Sequence, residues 1–154
     1  MKIAVTGHRK QRLRGKEEAV AAWLKEQVQQ LSFAERRVEC ICGGAEGADE
    51  IYAEVVAFTE NIGADLVFYL PCEGYRFFAL EKFMDKASRV VNLFSKWTAG
   101  GDAIRDKKMV DDCDVLLAVW DGIRVGGTWD TIKYARENRK KIIYIPEEIL
   151  NDKK

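Results

Sequence analysis

The regular alternation of short apolar segments with helical segments is the feature that most constrains the fold. Residues 2–5, 38–42, 64–71, 89–94, 114–120 and 141–145 read as strands, most of them apolar along nearly their whole length. Helical spacing or capping signals occupy 15–31, 48–63, 73–88, 103–112 and 128–140 between them. Apolar strands separated by helices are typical of a parallel sheet covered on both faces. The pattern predicts an α/β three-layer sandwich with a mainly parallel sheet, as one domain over 1–146, followed by a polar tail over 147–154.

Ligands of such sheets bind beyond the carboxyl ends of the strands, where loops lead into helices. This rule selects four segments of the chain, 6–15, 43–49, 71–78 and 120–129. We therefore expect the functional residues to come from these loops.

The segment "GGAEGAD" follows the second strand and opens a helix. Gly43, Gly44 and Gly47 would let the backbone turn tightly beside a ligand, and the helix N-terminus would attract a phosphate. The spacing matches neither a Walker loop nor the dinucleotide motif. Glu46 or Asp49 is expected to hydrogen-bond a ribose hydroxyl or to orient neighbouring loops. The alternative is a plain tight turn between strand and helix.

The segment "VTGHR" ends the first strand with Gly7, His8 and Arg9. His8, the only histidine of the chain, could act as a general acid or base or stack on a base, and the fork of Arg9 could clamp a phosphate or carboxylate. The alternative is a polar loop whose side chains face solvent.

The segment "WDGIRVGGTW" predicts a second phosphate site. Gly126 and Gly127 make room, while the Thr128 hydroxyl and the first amides of the next helix supply donors. Asp121 is placed to hold a ribose or a catalytic water. Trp120 and Trp129 offer rings for base stacking; alternatively, they only close the edge of the core.

Arg105 falls in the first turn of its helix, with Asp102 as the expected N-cap. Its guanidinium is expected to point to the carboxyl edge of the sheet, where it could clamp a phosphate or stabilise developing charge. The alternative is a helix-internal pair with Asp102 or Asp106.

Charge and cysteine content narrow the function classes. The 25 Lys and Arg residues balance 25 Asp and Glu residues, so nucleic acid is an unlikely partner, although 8–14 form one short basic cluster. No apolar run approaches a membrane span, and we expect no membrane partner.

Cys40 and Cys42 are expected to be small buried hydrophobes rather than metal ligands. The absence of a signal peptide and of a disulfide pattern favours a cytoplasmic location. The sequence indicates no metal and no cofactor.

Taken in order, "VTGHR", "CICGGAEGAD", "FYLP", "AIRDKKMVDDCDVLLAVWDG" and "GGTWDTIKYA…KKIIYI" resemble the SLOG superfamily. These are Rossmann-like domains related to the Lonely Guy phosphoribohydrolases and to DNA-processing protein A. The resemblance spans 2–145 and is greatest to short phage- or prophage-borne members that open with Thr-Gly-His-Arg. It implies a nucleotide or a ligand of the NAD or ADP-ribose type, held by Gly43, Gly44, Gly126, Gly127 and Thr128.

The resemblance also bears on turnover. Arg105 in "RDKKM" aligns with the catalytic arginine of the Lonely Guy enzymes, but their catalytic glutamate position holds Thr131. A threonine cannot replace a carboxylate in acid/base chemistry. The resemblance therefore favours a sensor or carrier. The alternative is an N-glycosidase acting on nucleoside monophosphates, with Asp121 or Glu46 as the carboxylate and Arg105 assisting. Since relatives often self-associate, the resemblance also implies a homo-oligomer.

Overall fold

The computed structural model of the protein describes residues 1–75 and 82–151, which form a three-layer α/β sandwich. The six strands are β1 Lys2–Gly7, β2 Glu39–Cys42, β3 Asp65–Cys72, β4 Ala87–Phe94, β5 Val115–Val119 and β6 Lys141–Tyr144. The helices are α1 Glu17–Ser32, α2 Ala48–Phe58, α3 Gly101–Asp112, α4 Gly127–Glu137 and the single turn α5 Glu147–Leu150, with a 3₁₀ turn at Lys10–Arg12.

Every pair of neighbouring strands is parallel, and the sheet order is β4-β3-β2-β1-β5-β6. The chain builds the sheet outward from β1 in one direction as far as β4. It then returns and places β5 on the free side of β1, with Gly7 opposite Val119 at their carboxyl ends. The connections after β1 and β5 consequently leave the sheet toward opposite faces, which opens a crevice where the strand order reverses.

The two faces of the sheet bury separate hydrophobic layers. On one face Ile3 and Val5 of β1 pack with residues of α1 and α2, such as Leu24 and Tyr52. On the other face Ala4 of β1 packs with residues of α3 and α4. Apolar residues on both sides of one strand confirm the predicted parallel sheet between two helical layers.

The cysteines confirm the interpretation drawn from their spacing. Cys40 and Cys42 are free, fully buried and part of the same hydrophobic layer. Burial raises the pKa of the Cys40 thiol to about 12 and that of Cys42 well above its usual range. Both thiols are therefore inert, protonated packing groups.

Several predicted element ends differ from the structure. Helix α2 ends at Phe58, not at Gly63, because Thr59 adopts an extended backbone conformation that suits its β-branched side chain. Of the helix predicted over 73–88, residues 76–81 lie outside the described part, and Ala87 already pairs with Leu66 in the sheet.

The remaining differences concern the start of α3 and the last residues. Gly100, with φ of +78°, takes the N-cap of α3, so Asp102 lies inside the first turn and is not the cap. The segment predicted to be a polar tail includes α5, whose Ile149 and Leu150 pack on the hydrophobic layer under α1.

Candidate functional site

A cavity of about 260 Å³ lies at the point where the strand order reverses. Its walls come from the end of β1, the turn before α2, the first half of α3 and the turn before α4. The predicted site residues that line it are Gly7, His8, Arg9, Asp49, Arg105, Gly126, Gly127 and Thr128. Three of the four segments selected from the sequence, 6–15, 43–49 and 120–129, contribute to this lining. Of the fourth segment, 71–78, residues 71–75 do not line the cavity, and 76–78 lie outside the described part.

The turn before α4 supplies unpaired amides. Gly126 has φ of +97°, a conformation that favours glycine, and α4 starts at Gly127 with no side-chain cap. The amide of Asp130 is bonded to the carbonyl of Gly126, so the amides of Gly127 and Thr128 precede the first helical hydrogen bond. A Cβ built on Gly127 meets nothing within 4 Å. The turn is thus an open helix N-terminus at the cavity, suited to an anion.

Thr131, at the position where the Lonely Guy enzymes have a glutamate, has a structural role in the first turn of α4. Its side chain is buried, and its hydroxyl donates to the carbonyl of Gly127 at 2.9 Å. Thr131 therefore stabilises the first turn of α4, whose N-terminus is open to the cavity.

His8 is buried between the loops that follow β1 and β5. Its Nε2 accepts the backbone N–H of Asp121 at 3.0 Å, and burial lowers its pKa, more than the Asp121 carboxylate raises it. The imidazole is therefore neutral near pH 7, with its proton on Nδ1. Contrary to the polar-loop alternative, it does not face solvent.

Asp121 joins the same two loops and does not line the cavity. Its carboxylate accepts the N–H of Ile123 at 3.0 Å and binds the guanidinium of Arg12. Burial alone would raise the pKa of Asp121, but the Ile123 amide, His8 and Arg12 together lower it. The side chain is an anion held by protein partners, which leaves it little capacity to hold ribose or activate water.

Arg105 is buried, and two of its five N–H donors are bonded to protein acceptors. Nη1 donates to the carbonyl of Gly43, and Nε donates to Asp106 Oδ1 at 2.7 Å. A Cβ on Gly43 would lie 2.7 Å from Cζ of Arg105, so this glycine makes room for the guanidinium rather than for a ligand. The helix-internal pair considered for Arg105 is thus present, with a second bond that ties α3 to the end of β2.

Asp49 and Asp106 give the cavity a carboxylate wall. Asp49 accepts the N–H of Ala45 at 3.0 Å, and burial raises its pKa to about 6, although Arg105 opposes the shift. Burial likewise raises the pKa of Asp106. The sequence analysis considered Asp106 only as a helix-internal partner of Arg105 and did not predict it at the site. Nothing in the polar sequence of this helix indicates that Asp106 is buried.

The other residues of the "GGAEGAD" segment fix one loop against another. Gly47 has φ of +95°, and a Cβ there would lie 2.3 Å from the carbonyl oxygen of His8. A Cβ on Gly7 would lie 2.4 Å from that of Ala48. Gly44 has φ of +77°, and Glu46 pairs with Lys10. The close approaches at Gly47 and Gly7 fix the backbone beside the cavity, and Glu46 adds a side-chain ion pair to the same loop. Of these residues, Gly7 lines the cavity.

Trp120 and Trp129 stack on each other beside the cavity. Their ring centroids are 5.4 Å apart with planes at 14°, and the guanidinium of Arg136 lies 5.3 Å from the Trp129 ring. Trp120 Nε1 donates to the carbonyl of Ile123 at 2.9 Å. Neither ring lines this cavity, and neither belongs to the two hydrophobic layers. Trp120 contributes instead to a separate surface depression with Arg136 and Tyr144. Base stacking on these rings stays a prediction.

Within the described residues, clustered metal ligands and membrane-spanning helices are absent. No group of three or more His, Cys, Asp or Glu side chains in 1–75 and 82–151 is arranged to hold a metal ion. In the same part of the chain, no helix combines the length and apolar character needed to cross a bilayer.

Comparison with known proteins places the fold. No family model and no curated protein sequence matches the chain. The crystal structure of the structural-genomics target TM1055 is similar with a TM-score of 0.60 and 18% identity, over 92% of this chain and 71% of that one. The molybdenum cofactor carrier protein MCP from Chlamydomonas reinhardtii is similar with a TM-score of 0.61 and 17% identity, over 93% and 74%. The chain therefore has the Rossmann-like α/β fold that these two structures share.

Proposed function

We propose that this protein binds a small phosphate-bearing ligand of the nucleotide class in the cavity between β1 and β5, as a sensor or carrier. The observation that carries the proposal is the uncapped N-terminus of α4 at the cavity wall. Its free amides and partial positive charge suit a phosphate.

Arg9 supports an anionic ligand. It lines the cavity and is exposed, and in the described residues it forms no ion pair, whereas Arg12 and Arg105 bind Asp121 and Asp106. A planar guanidinium that has no ion pair within the described residues, placed beside free amides, is the arrangement expected for bidentate binding of a phosphate.

The carboxylate wall supports a ligand that also carries hydroxyl groups. Asp49 and Asp106 line the same cavity as Gly127 and can accept hydrogen bonds from a sugar. The volume of about 260 Å³ is just under the ~300–1,000 Å³ typical of small-molecule pockets, which suits a phosphate with its ribose. The base would then lie toward the cavity mouth, beside Val125.

The similar structure of a molybdenum cofactor carrier protein supports a carrier over an enzyme. The side chains considered for an N-glycosidase have protein partners: Asp121 binds Arg12, Glu46 binds Lys10 and Arg105 binds Asp106. From the motif order we further propose a cytoplasmic, self-associating member of the SLOG superfamily, related to the short phage-borne proteins, with one ligand domain over 1–146.

The first test is a thermal-shift screen against nucleoside monophosphates, ADP-ribose and cyclic ADP-ribose. A ligand at 100 times its Kd is expected to stabilise the folded state by about 2.7 kcal/mol. Chromatography of each mixture afterwards detects free base. Stabilisation with intact ligand supports binding, and released base supports the glycosidase instead.

Gly127→Asp, with Gly127→Asn as its matched control, locates the site. Both side chains enter open space, and Asp near a helix N-terminus is itself favourable, so both variants are expected to fold. The aspartate places a negative charge on the phosphate position and is expected to weaken binding at least tenfold, whereas asparagine retains most of it. Equal affinity of the two variants in calorimetry would refute a phosphate at this turn.

A further inference from the structure

The His8 imidazole has two different contacts with Asp121 at the same ring nitrogen. Nε2 lies 3.0 Å from the backbone nitrogen of Asp121 and 3.2 Å from Oδ1 of the same residue. The neutral ring accepts the Asp121 N–H at Nε2, and an imidazolium loses that bond and donates from Nε2 to the carboxylate instead. Proton uptake therefore exchanges one hydrogen bond with Asp121 for a charge-assisted one with the same residue.

We infer that His8 is the residue by which the cavity distinguishes anionic from neutral ligands, because it takes up a proton when an anion binds. This inference rests on the proposed function and adds a selectivity mechanism to the same site. His8 lines the cavity, and its side chain is 3% exposed, so a charge placed in the cavity acts on it with little screening by solvent.

The charges around His8 explain why the proton is absent before the ligand binds. From the loop after β5, Asp121 attracts a proton, but Arg12 of the 3₁₀ turn and the Ile123 amide already compensate this carboxylate. The other charged groups of the cavity are Arg9 from the same loop as His8, Asp49 from α2, and Arg105 and Asp106 from α3. Around His8, three guanidinium groups thus balance three carboxyl groups. Burial is then the largest influence on the pKa of His8, and it lowers this pKa and favours the neutral imidazole.

An added anion changes this balance in a predictable direction. It raises the pKa of His8, so protons are taken up at pH values between the free and the bound pKa. Affinity for an anion consequently rises as the pH falls through the bound-state pKa, and it becomes constant below the free-state value. A pKa of His8 that is about one unit higher in the bound state corresponds to about tenfold higher affinity at low pH. A neutral ligand gains nothing from this effect.

Because the chain contains a single histidine, NMR of the imidazole nitrogens reports on His8 without assignment. The probe is inorganic sulfate, a dianion that does not titrate near neutral pH, with sodium chloride at equal ionic strength as control. In the free protein we expect the tautomer with the proton on Nδ1. Saturating sulfate is expected to raise the pKa of His8 by about one unit, and chloride is not.

The outcomes separate this inference from the proposed function. Saturable sulfate binding without a change at His8 overturns the inference and leaves the anion site intact. No saturable response at any resonance contradicts both. The opposite tautomer in the free protein overturns the inference as well.

Asp49 is the competing proton acceptor, since it lines the same cavity and burial raises its pKa to about 6. Calorimetry of sulfate binding in buffers of different ionisation enthalpy counts the protons taken up. We expect uptake to persist in Asp49→Asn and to disappear in His8→Gln, whose amide oxygen can still accept the Asp121 N–H. Uptake that is lost in Asp49→Asn and kept in His8→Gln would assign the proton to Asp49 and overturn the inference.

Discussion

At the scale of single residues, burying the carboxyl of Asp49 in the cavity wall lowers the free energy of unfolding at neutral pH. Its native pKa of about 6 lies above the ordinary value of 3.8, because burial disfavours the charged form more than Arg105 favours it. The sequence could point to Asp49 as a candidate site residue. The rise in its pKa could not be predicted, because it depends on burial and on neighbours that come from other parts of the chain.

Replacement of this carboxyl by an amide is expected to stabilise the fold in a pH-dependent way. Below about pH 3 folded and unfolded Asp49 are both protonated, so the replacement does not change the stability through this group there. Between pH 3.8 and about 6 the unfolded chain loses the proton while the folded chain keeps it, so wild-type stability falls as pH rises. Above that range Asp49→Asn is expected to exceed wild type by on the order of 2–3 kcal/mol in urea unfolding.

Glu54→Gln is the matched control for this series, because Glu54 is an exposed carboxylate on the same helix, α2. It is expected to follow wild type within about 0.5 kcal/mol at every pH. Identical pH profiles for Asp49→Asn and wild type would mean that Asp49 titrates normally and that the cavity is fully open to solvent.

At the scale of elements, the turn from β2 into α2 determines where the cavity wall lies. The amide of Ala48 donates to the carbonyl of His8 at 3.1 Å, and Gly47 is pressed against the backbone of the same loop. The glycine-rich sequence correctly predicted a tight turn with close approach. It did not reveal that the approaching group is the first loop of the chain, because glycine patterns give the freedom of a backbone and not its neighbour.

Gly47→Ala compared with Gly122→Ala measures this contact. Both glycines have φ of about +90°, so both substitutions incur the left-handed backbone cost of about 1–2 kcal/mol. Only at Gly47 does the new methyl group meet the His8 carbonyl, which adds about 1–3 kcal/mol or forces α2 outward. Equal losses in denaturant unfolding would show that the two loops do not pack closely in solution.

At the scale of the whole molecule, the order of the strands creates the site. Alternating strands and helices predict the layers and the carboxyl edge, and these expectations are confirmed. The reversal between β1 and β5 could not be derived from the sequence, since several apolar strands have similar composition and any of them could occupy the centre. For the same reason the pairing of Arg105 with Gly43, which links non-neighbouring parts of the chain, was not expected.

The rates of amide hydrogen exchange are expected to follow the order of the strands in the sheet, slowest at the centre and fastest at the edges. Strand β5 and the interior of β1 are fully buried, whereas β4 and β6, at the two edges, contain no fully buried residue. Paired amides of β1 and β5 should therefore exchange through global unfolding, and those of β4 and β6 roughly a hundredfold faster through local opening. Mass spectrometry of peptides from each strand tests this expectation. Equal protection of β4 would indicate that another chain covers that edge.

The stacked indoles of Trp120 and Trp129 have a spectroscopic consequence. Two identical chromophores with centroids 5.4 Å apart and planes nearly parallel couple their ultraviolet transitions, so they absorb as a pair rather than as two independent rings. One ring stands directly after β5 and the other in the first turn of α4, on either side of the segment that holds Gly126. The molecule thus carries an exciton-coupled pair whose circular dichroism changes whenever that segment changes shape, without an added label.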